Sequence, residues 1–136
     1  MSKKNIDPMI EVVDEDGEIR ISKCWIACDV GTALDPGIIE AQMIGGAIYG
    51  LSAAAYGEIT FTDGAADQWN FPDYDALRMH TSPTFEVTIR ESGHGIGGVG
   101  EPGTPPSMPA LGNALFNLTG TRATELPLSK TFSLKL

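Results

Sequence analysis

The alternation of hydrophobic and polar residues near the start of the chain predicts a β-hairpin. Residues 9–14 and 18–30 are both rich in residue types that favour strands, and Glu15-Asp16-Gly17 separates them. Asp-Gly between two such runs is a strong signal for a tight hairpin turn. Apolar residues occupy both phases of the second strand toward its end, so we expect that strand to be buried on both faces there.

A long apolar segment follows and predicts a buried helix. Asp35 suits the N-cap and Pro36 the first helical position, so we expect a helix over residues 38–56. Its apolar residues lie almost all the way round, which is typical of a helix buried on every side. Gly45, Gly46 and Gly50 each cost about 1 kcal/mol of helix stability relative to alanine. We therefore expect another backbone to pack closely against them.

The second half of the chain predicts one more strand and one more helix. Residues 84–91 alternate well, with three apolar side chains on one face: Phe85, Val87 and Ile89. Ser107 could cap a helix that has Pro109 in its first turn and stops at Gly120. The apolar stripe of this helix comprises Met108, Leu111, Leu115 and Leu118.

The remaining segments complete an α+β fold. Residues 58–62 predict a short strand, residues 67–82 are irregular, and residues 126–136 resemble an extended surface segment. We expect a mixed sheet with an N-terminal β-hairpin and two main helices, in a single domain over residues 1–136. Its ends, residues 1–8 and 129–136, are expected to be flexible.

The net charge limits which partners the chain can bind, and the apolar segments bear on its location. The net charge of −9 over 136 residues argues against nucleic acid, because phosphate binding needs a basic face. We find no apolar run of the roughly 18 residues that a membrane span requires, and no signal peptide opens the chain. These observations predict no membrane span and leave a cytoplasmic or periplasmic location open.

Metal ligation by side chains is poorly supported. Cys24 and Cys28 are four positions apart, which is not the spacing of a zinc or redox motif, and even spacing in a strand places both on one face. We expect them to pack as small core residues. His80 and His94 are the two histidines, and no carboxylate–histidine cluster has ligand spacing. No metal ligands are predicted.

The richest chemical signal is the segment at residues 93–103, which we call the glycine loop. Its sequence is GHGIGGVGEPG, and glycines allow bare amide N–H groups to approach a ligand. Pro102 favours an extended conformation at Glu101, which limits where that carboxylate can point. Two interpretations remain open: an amide cradle for an anionic cofactor beside a general base, or a mobile loop with a solvated glutamate.

Two nucleotide-binding motifs fail on their context. Residues 95–100 fit G-x-G-x-x-G after a strand, but a dinucleotide site also needs a helix to begin inside the motif. We expect Pro102, Pro105 and Pro106 to forbid that helix. A P-loop is excluded because no Lys-Ser/Thr pair follows the glycines.

Gln42 is the one large polar side chain in the middle of the apolar helix. A buried amide needs hydrogen-bond partners. It is therefore either pinned to the main chain or in contact with a polar ligand.

Three sequence features together resemble one enzyme family. They are Val99-Gly100-Glu101-Pro102, the run GTPPSMPALGN at residues 103–113, and Cys28-Asp29-Val30-Gly31 followed by Asp35-Pro36 and Gln42. They resemble the molybdenum hydroxylases, the xanthine dehydrogenase and aldehyde oxidoreductase family. The likeness is strongest to the C-terminal part of the molybdopterin-binding large (beta) subunit of the isoquinoline 1-oxidoreductase type.

The resemblance implies roles for particular residues. Glu101 stands where the family keeps its catalytic glutamate, a general base for hydroxylating an N-heteroaromatic or aldehyde carbon with water as the oxygen source. Gln42 falls where the family holds its pterin cofactor, as do the loop residues Gly97, Gly98, Val99 and Gly100. The cofactor would be molybdopterin, in its cytosine dinucleotide form. The pterin itself holds the molybdenum, so the resemblance asks for no protein metal ligand.

The resemblance also implies partners. They are the remainder of the molybdopterin-binding subunit, an iron–sulfur small subunit and a heteroaromatic or aldehyde substrate. This chain resembles only the end of a much longer subunit, so alone we expect no bound cofactor and no turnover. Association of identical chains through exposed surfaces is left open. The alternative is a non-catalytic remnant, or an assembly or binding domain, that folds alone.

Overall fold

A three-stranded mixed sheet organises the chain. The computed structural model describes residues 6–136. β1 (Ile6–Glu15) pairs antiparallel with β2 (Glu18–Asp29), and the last long strand, Thr84–Arg90, pairs parallel with β2 on its other side. Two helices pack on this sheet, α1 (Pro36–Ala55) and α2 (Thr104–Thr119). The expected α+β class with a mixed sheet and two helices is confirmed.

The hairpin between β1 and β2 forms as predicted. Asp16 and Gly17 occupy the turn with φ values of 59° and 92°, the left-handed geometry of the tight hairpin turns. The N–H of Gly17 donates to Oδ1 of Asp14 at 2.8 Å.

Burial of β2 is one-sided, so the expectation of burial on both faces is wrong. Cys24, Ile26 and Cys28 are between 0% and 2% exposed, whereas Trp25 is half-buried and Ala27 is exposed on the opposite face. The buried side chains belong to a cluster with α1, while Nζ of Lys23 lies 4.6 Å from the Trp25 ring centroid. The two cysteines pack in the core as predicted. Burial raises the pKa of the Cys24 thiol to about 11.

α1 starts where the sequence predicts, but only one side of it is buried. The N–H of Ile38 donates to Oδ1 of Asp35 at 3.0 Å, which caps the helix, and Pro36 begins it. Met43, Ala47 and Leu51 are fully buried, whereas Ile38 and Tyr49 are 60% and 71% exposed. The expected burial on every side is therefore wrong.

α1 also meets the length and hydropathy of a membrane span, contrary to the expectation from the sequence. Its 20 residues contain an 18-residue window with a mean hydropathy of 1.2. The buried side of the same helix packs against the core of this chain. A core helix of this kind meets the same criterion, so composition alone does not distinguish the two.

α2 begins one turn earlier than predicted. It starts at Thr104 with Pro105 and Pro106 in its first turn, where a missing N–H costs little. Ser107 is therefore not the cap. It is buried inside the helix and its hydroxyl donates to the Gly103 carbonyl at 2.7 Å.

The helix ends at Gly120 as expected, with φ 73°. Within the predicted stripe Leu111 and Leu115 are fully buried, Met108 is half-buried and Leu118 is exposed.

The two helices approach closely through glycines, as predicted for two of the three. A Cβ at Gly50 would lie 2.5 Å from the Thr104 carbonyl oxygen, and one at Gly46 would lie 3.3 Å from the Gly103 Cα. A Cβ at Gly45 would meet nothing within 4 Å. Gly45 therefore faces away from α2.

The smaller elements lie between α1 and the last strand. β3 (Phe61–Thr62) and β4 (Ala65–Ala66) form a short hairpin, so the strand predicted over residues 58–62 is reduced to its last two residues. A 3₁₀ turn (Phe71–Asp73) lies in the segment predicted to be irregular. β5 (Thr84–Arg90) follows with its three apolar side chains partly buried, as expected.

The end of the chain is packed rather than laid on the surface, so the predicted surface segment is wrong. Leu128 and Phe132 are 4% and 7% exposed and belong to the core. The N–H of Ile19 donates to the Ser133 carbonyl at 2.7 Å, and the N–H of Lys135 donates to the Ile19 carbonyl at 3.0 Å. At the other end of the chain, residues 6–8 lie in β1, while residues 1–5 lie outside the described residues.

Candidate functional site

The parallel pairing of β2 and β5 brings two loops to one edge of the sheet. Asp29 lies opposite Arg90 in the register, and both strands end there. Because parallel strands run in the same direction, residues 30–35 and residues 91–103 leave the sheet side by side. The second of these segments contains the glycine loop.

Main-chain hydrogen bonds join the two segments into a seam. The N–H of Val30 donates to the Arg90 carbonyl at 3.4 Å, and the N–H of Gly93 donates to the Gly31 carbonyl at 3.3 Å. The N–H of Gly97 donates to the Val30 carbonyl at 3.0 Å. The first half of the glycine loop is therefore tied to the segment after β2.

Two carboxylates brace the seam from opposite sides. Oδ1 of Asp29 accepts the Gly31 N–H at 3.0 Å and the Ser92 hydroxyl at 2.8 Å. Oε1 of Glu91 accepts the Ala33 N–H at 2.8 Å. The pKa of Asp29 is lowered, first by the Ser92 hydrogen bond, then by the Gly31 N–H and, more weakly, by the charges of Arg90 and His94. Asp29 is thus an ionised acceptor at neutral pH.

Gly31 has no room for a side chain. Its φ is +80°, which L residues rarely adopt, and a Cβ there would lie 2.5 Å from the Gly95 carbonyl oxygen and 2.6 Å from that of His94. The glycine loop folds directly over this residue. Contact of this kind requires glycine on steric grounds.

The predicted cradle residues divide into an inner and an outer group. The Gly97 N–H is used within the seam, and Val99 is half-buried against the cluster around Met43. Gly98 and Gly100 are exposed, and a Cβ at Gly100 would meet nothing within 4 Å. The inner residues fix the loop, while the outer ones are exposed.

Glu101 is exposed on the outer side of the loop. Its carbonyl accepts the Thr104 N–H at 2.9 Å, which links it to the start of α2. Gly103 is buried, and a Cβ there would lie 2.7 Å from the Met43 carbonyl oxygen on α1. The backbone after Glu101 is therefore held, and before it Val99 packs against the core cluster that includes Met43.

Gln42 is also exposed, so the expectation of a buried amide is wrong. It precedes Met43, the residue whose carbonyl lies against Gly103. Neither the carboxamide of Gln42 nor the carboxylate of Glu101 is buried within this chain.

A small apolar cavity of about 180 Å³ lies beside the loop. Three of its lining side chains are strongly exposed, Leu34 at 76%, Ile38 at 60% and Ile96 at 63%. The part of the loop around Ile96, Gly97 and Val99 therefore adjoins apolar surface that the described residues leave uncovered.

The structure corrects the reason given for excluding a dinucleotide site. The prolines do not prevent a helix, because α2 begins at Thr104 with Pro105 and Pro106 in its first turn. That helix starts after Gly100, beyond the G-x-G-x-x-G run. The required helix start inside the motif is therefore still lacking. Among residues 6–136, no three His, Cys, Asp or Glu side chains are grouped to hold a metal.

Sequence reasoning did not assign the bracing roles of Asp29, Glu91 and Ser92. Asp29-Val30-Gly31 entered only as part of a resemblance. An aspartate two positions before a glycine, at the end of a strand, is a signal for a hydrogen bond from the glycine N–H to the aspartate side chain. The contact of Glu91 with Ala33 spans 58 positions and left no sequence signal.

Comparison with known proteins gives consistent matches. The isoquinoline 1-oxidoreductase subunit beta of Brevundimonas diminuta is 37% identical over 110 residues, 81% of this chain and 14% of that protein. The membrane-bound aldehyde dehydrogenase (pyrroloquinoline-quinone) of Gluconacetobacter polyoxogenes is 34% identical over 112 residues, 82% of this chain and 14% of that protein. The chain thus spans about one seventh of the length of these relatives.

A solved structure has the same fold. Quinoline 2-oxidoreductase from Pseudomonas putida 86 aligns with a TM-score of 0.72 and 21% identity, over 81% of this chain and 15% of that one. The family model of the molybdopterin cofactor-binding domain matches residues 8–83, which include Gln42 and end before the glycine loop. That match covers more than half of the chain, and the chain belongs to the molybdopterin cofactor-binding domain family.

Proposed function

We propose that this chain is part of a molybdenum-dependent oxidoreductase that hydroxylates an N-heteroaromatic or aldehyde carbon, with water as the oxygen source. The family match and the relatives named for isoquinoline and aldehyde oxidation support the proposal. The observation that carries it is the outer side of the glycine loop. Glu101 is exposed there on a backbone held at both ends.

The residues on this outer side suit a pterin cofactor. The carboxamide of Gln42 offers two N–H donors and one oxygen acceptor, and Gly100 leaves open space where any other residue would place a Cβ. These groups would hold the cofactor together with Gly97, Gly98 and Val99. When bound, molybdopterin in its cytosine dinucleotide form supplies the metal centre that takes up two electrons from the substrate.

Glu101 supplies the general base. An exposed carboxylate on a fixed backbone can accept a proton from a group brought against it, and general bases contribute roughly 10²–10⁴-fold to rates. The remainder of the molybdopterin-binding subunit would cover this surface, including the exposed side chains Leu34, Ile38 and Ile96. Covering would exclude water from the base and strengthen its electrostatic interactions.

Partners follow from the same proposal. The rest of the subunit completes the pocket, and an iron–sulfur subunit removes the electrons. Alone, the chain holds no cofactor and does not turn over.

The test is Glu101→Gln in the complete enzyme, which keeps the size of the side chain but removes the base. We expect turnover to fall roughly 10²–10⁴-fold, with molybdenum content per subunit unchanged. Glu18→Gln is the matched control, because Glu18 is exposed at the hairpin, at the opposite end of β2. Full activity in Glu101→Gln would defeat the proposal.

The substrate class and the cofactor are tested separately. Isoquinoline is offered in water enriched in ¹⁸O, because its ring carbon carries no exchangeable oxygen, and we expect the label in the product. A simple aldehyde is offered separately to compare turnover, since its carbonyl oxygen exchanges with water. Unlabelled product would contradict water as the oxygen source. Release of pyrroloquinoline quinone instead of a pterin from the denatured complete enzyme would contradict the cofactor. Absence of both would favour the non-catalytic domain.

A further inference from the structure

The structure assigns Asp29 and Glu91 as positioning residues that cross-brace the two loops at the sheet edge and so set the place of Glu101. This inference rests on the proposed function, because it concerns the same base. The hydrogen bonds of the two carboxylates go to main-chain N–H groups and to the Ser92 hydroxyl. Each acts on the backbone that carries Glu101.

The bracing is reciprocal. Asp29 ends β2, yet its Oδ1 holds Ser92, which follows β5, at 2.8 Å. Glu91 follows β5, yet its Oε1 holds the N–H of Ala33, which follows β2, at 2.8 Å. Each strand end therefore contributes a carboxylate to the loop of its neighbour. Two such bonds in opposite directions resist sliding of one loop past the other.

Asp29 carries the greater share of the bracing. One oxygen accepts two donors, the Gly31 N–H at 3.0 Å as well as the Ser92 hydroxyl. Gly31 in turn lies directly under the carbonyl oxygens of His94 and Gly95. The Asp29 hydrogen bond that holds Gly31 therefore also holds the backbone against which the glycine loop packs. Hydrogen bonds to an ionised acceptor are stronger than those between neutral groups.

The brace reaches Glu101 along a short path. The Gly97 N–H is bound to the Val30 carbonyl, the residue between Asp29 and Gly31. Val99 then packs against the core cluster that includes Val30 and Met43. Only Gly100 separates Val99 from Glu101. A shift of the loop at residues 29–31 would therefore be passed on to the base.

The charged surroundings fit a role for Asp29 as acceptor. The positive charge of Arg90 interacts favourably with it. Arg90 lies beside Asp29 in the strand register, and both line one surface depression on the outer face of the sheet. The hydrogen bonds of Asp29 and its interaction with Arg90 thus lie at the sheet edge where the two loops begin.

The test compares Asp29→Ala with Asp29→Asn in the complete enzyme. Alanine removes the acceptor, whereas asparagine keeps an oxygen able to accept both donors. We expect Asp29→Ala to lower kcat by about tenfold or more, the loss set by one or two hydrogen bonds, with KM changed less than about threefold. Asp29→Asn should lower kcat less than Asp29→Ala does, because its neutral oxygen still accepts the same donors, though more weakly than a carboxylate.

Amide hydrogen exchange provides a readout that does not depend on activity. In Asp29→Ala, exchange of the peptide over residues 93–100 should rise by about tenfold, while the hairpin over residues 11–22 is unchanged. Glu86→Ala is the control, because it removes a carboxylate of β5 that pairs with Lys23 outside the seam. Unchanged exchange over residues 93–100, or equal loss of kcat in both Asp29 variants, would overturn the assignment.

Three further variants, at Ser92 and Glu91, keep the test decisive. If Asp29→Ala raises exchange throughout the chain, Ser92→Ala removes a single exposed hydrogen bond and should loosen the loop alone. An unchanged loop in Ser92→Ala would then overturn the assignment. Glu91→Ala and Glu91→Gln repeat the comparison from the other side. Full activity in Glu101→Gln would defeat the proposed function, yet the exchange results would still show whether the brace holds the loop.

Discussion

Two glycines beside the outer and inner sides of the glycine loop differ in the space around them. Gly31 lies under the inner side of the loop, and Gly100 lies on its outer side. On the inner side, a Cβ at Gly31 would overlap the carbonyl oxygens of Gly95 and His94. On the outer side, a Cβ at Gly100 would meet no atom of the described chain within 4 Å. The inner glycine is explained by the chain itself. No contact among the described residues requires glycine at the outer position.

α1 repeats this contrast within one helix. Gly50 faces α2 and touches the backbone of Thr104, whereas Gly45 faces no described atom. Both weaken the helix by about 1 kcal/mol relative to alanine. Only the first is offset by close packing inside this chain. Nothing among the described residues offsets the cost of Gly45.

Gly31→Ala is expected to have the largest effect on stability. The substitution combines a left-handed φ, which costs about 1–2 kcal/mol, with overlap against two backbone oxygens, which costs about 1–3 kcal/mol. We expect the free energy of unfolding to fall by about 3 kcal/mol, measured by urea denaturation of this chain.

Gly17→Ala is the matched control for Gly31→Ala. Gly17 has a φ of +92° but nothing within 4 Å of its Cβ position, so it incurs only the conformational part of the cost. If Gly31→Ala destabilises no more than Gly17→Ala, the contact between Gly31 and the loop is wrong.

Alanine substitutions at Gly50 and Gly45 of α1 should change the stability of this chain in opposite directions. Gly50→Ala gains about 1 kcal/mol of helix propensity but overlaps the Thr104 carbonyl, at a cost of about 1–3 kcal/mol. Gly45→Ala gains the propensity alone, so we expect it to stabilise this chain by about 0.5–1 kcal/mol. Thermal unfolding of both variants measures the difference. Equal shifts in Tm would contradict the packing of α1 on α2.

Gly100→Ala should have the smallest effect on the fold. We expect the free energy of unfolding of this chain to stay within about 0.5 kcal/mol of the wild type. In the complete enzyme, the added methyl would occupy the proposed cofactor surface and lower the pterin content after purification. Normal pterin content would remove Gly100 from the site, while a large loss of stability would contradict the open geometry.

Local signals in the sequence predicted the elements well. Asp-Gly between strand-forming runs located the hairpin, Asp35-Pro36 located the start of α1, and Gly120 located the end of α2. Each depends on backbone geometry within a few residues. The start of α2 was misplaced because Ser107 is a better N-cap than Gly103 by residue type. Pro105 and Pro106 in the first turn and the packing of Gly103 against α1 accompany the earlier start.

Burial was predicted less well, since it depends on which elements meet. The composition of α1 and of β2 indicates burial on all sides. Both are buried on one side only, because α1 and α2 pack on the same face of the sheet. The end of the chain shows the reverse error: Phe132 is buried because residues 133–135 pair with Ile19, more than 100 positions earlier. Such long-range pairing leaves no local pattern.

The candidate site was predicted in part. Residue types and the resemblance located the glycine loop and Glu101, whose catalytic role remains a prediction. The bracing contacts could not be found this way, because Asp29–Ser92 and Glu91–Ala33 join residues about 60 positions apart. The exposure of Gln42 was also hidden, since it depends on which side of α1 meets the sheet.

The turn at Asp16-Gly17 lies at the far end of β2 from Asp29. A strand of 12 residues spans roughly 36 Å at about 3.3 Å per residue, so this turn is remote from every group assigned to chemistry. It therefore offers an attachment point. A fluorophore or an affinity handle introduced there could track assembly of the complete enzyme while leaving the reactive edge untouched.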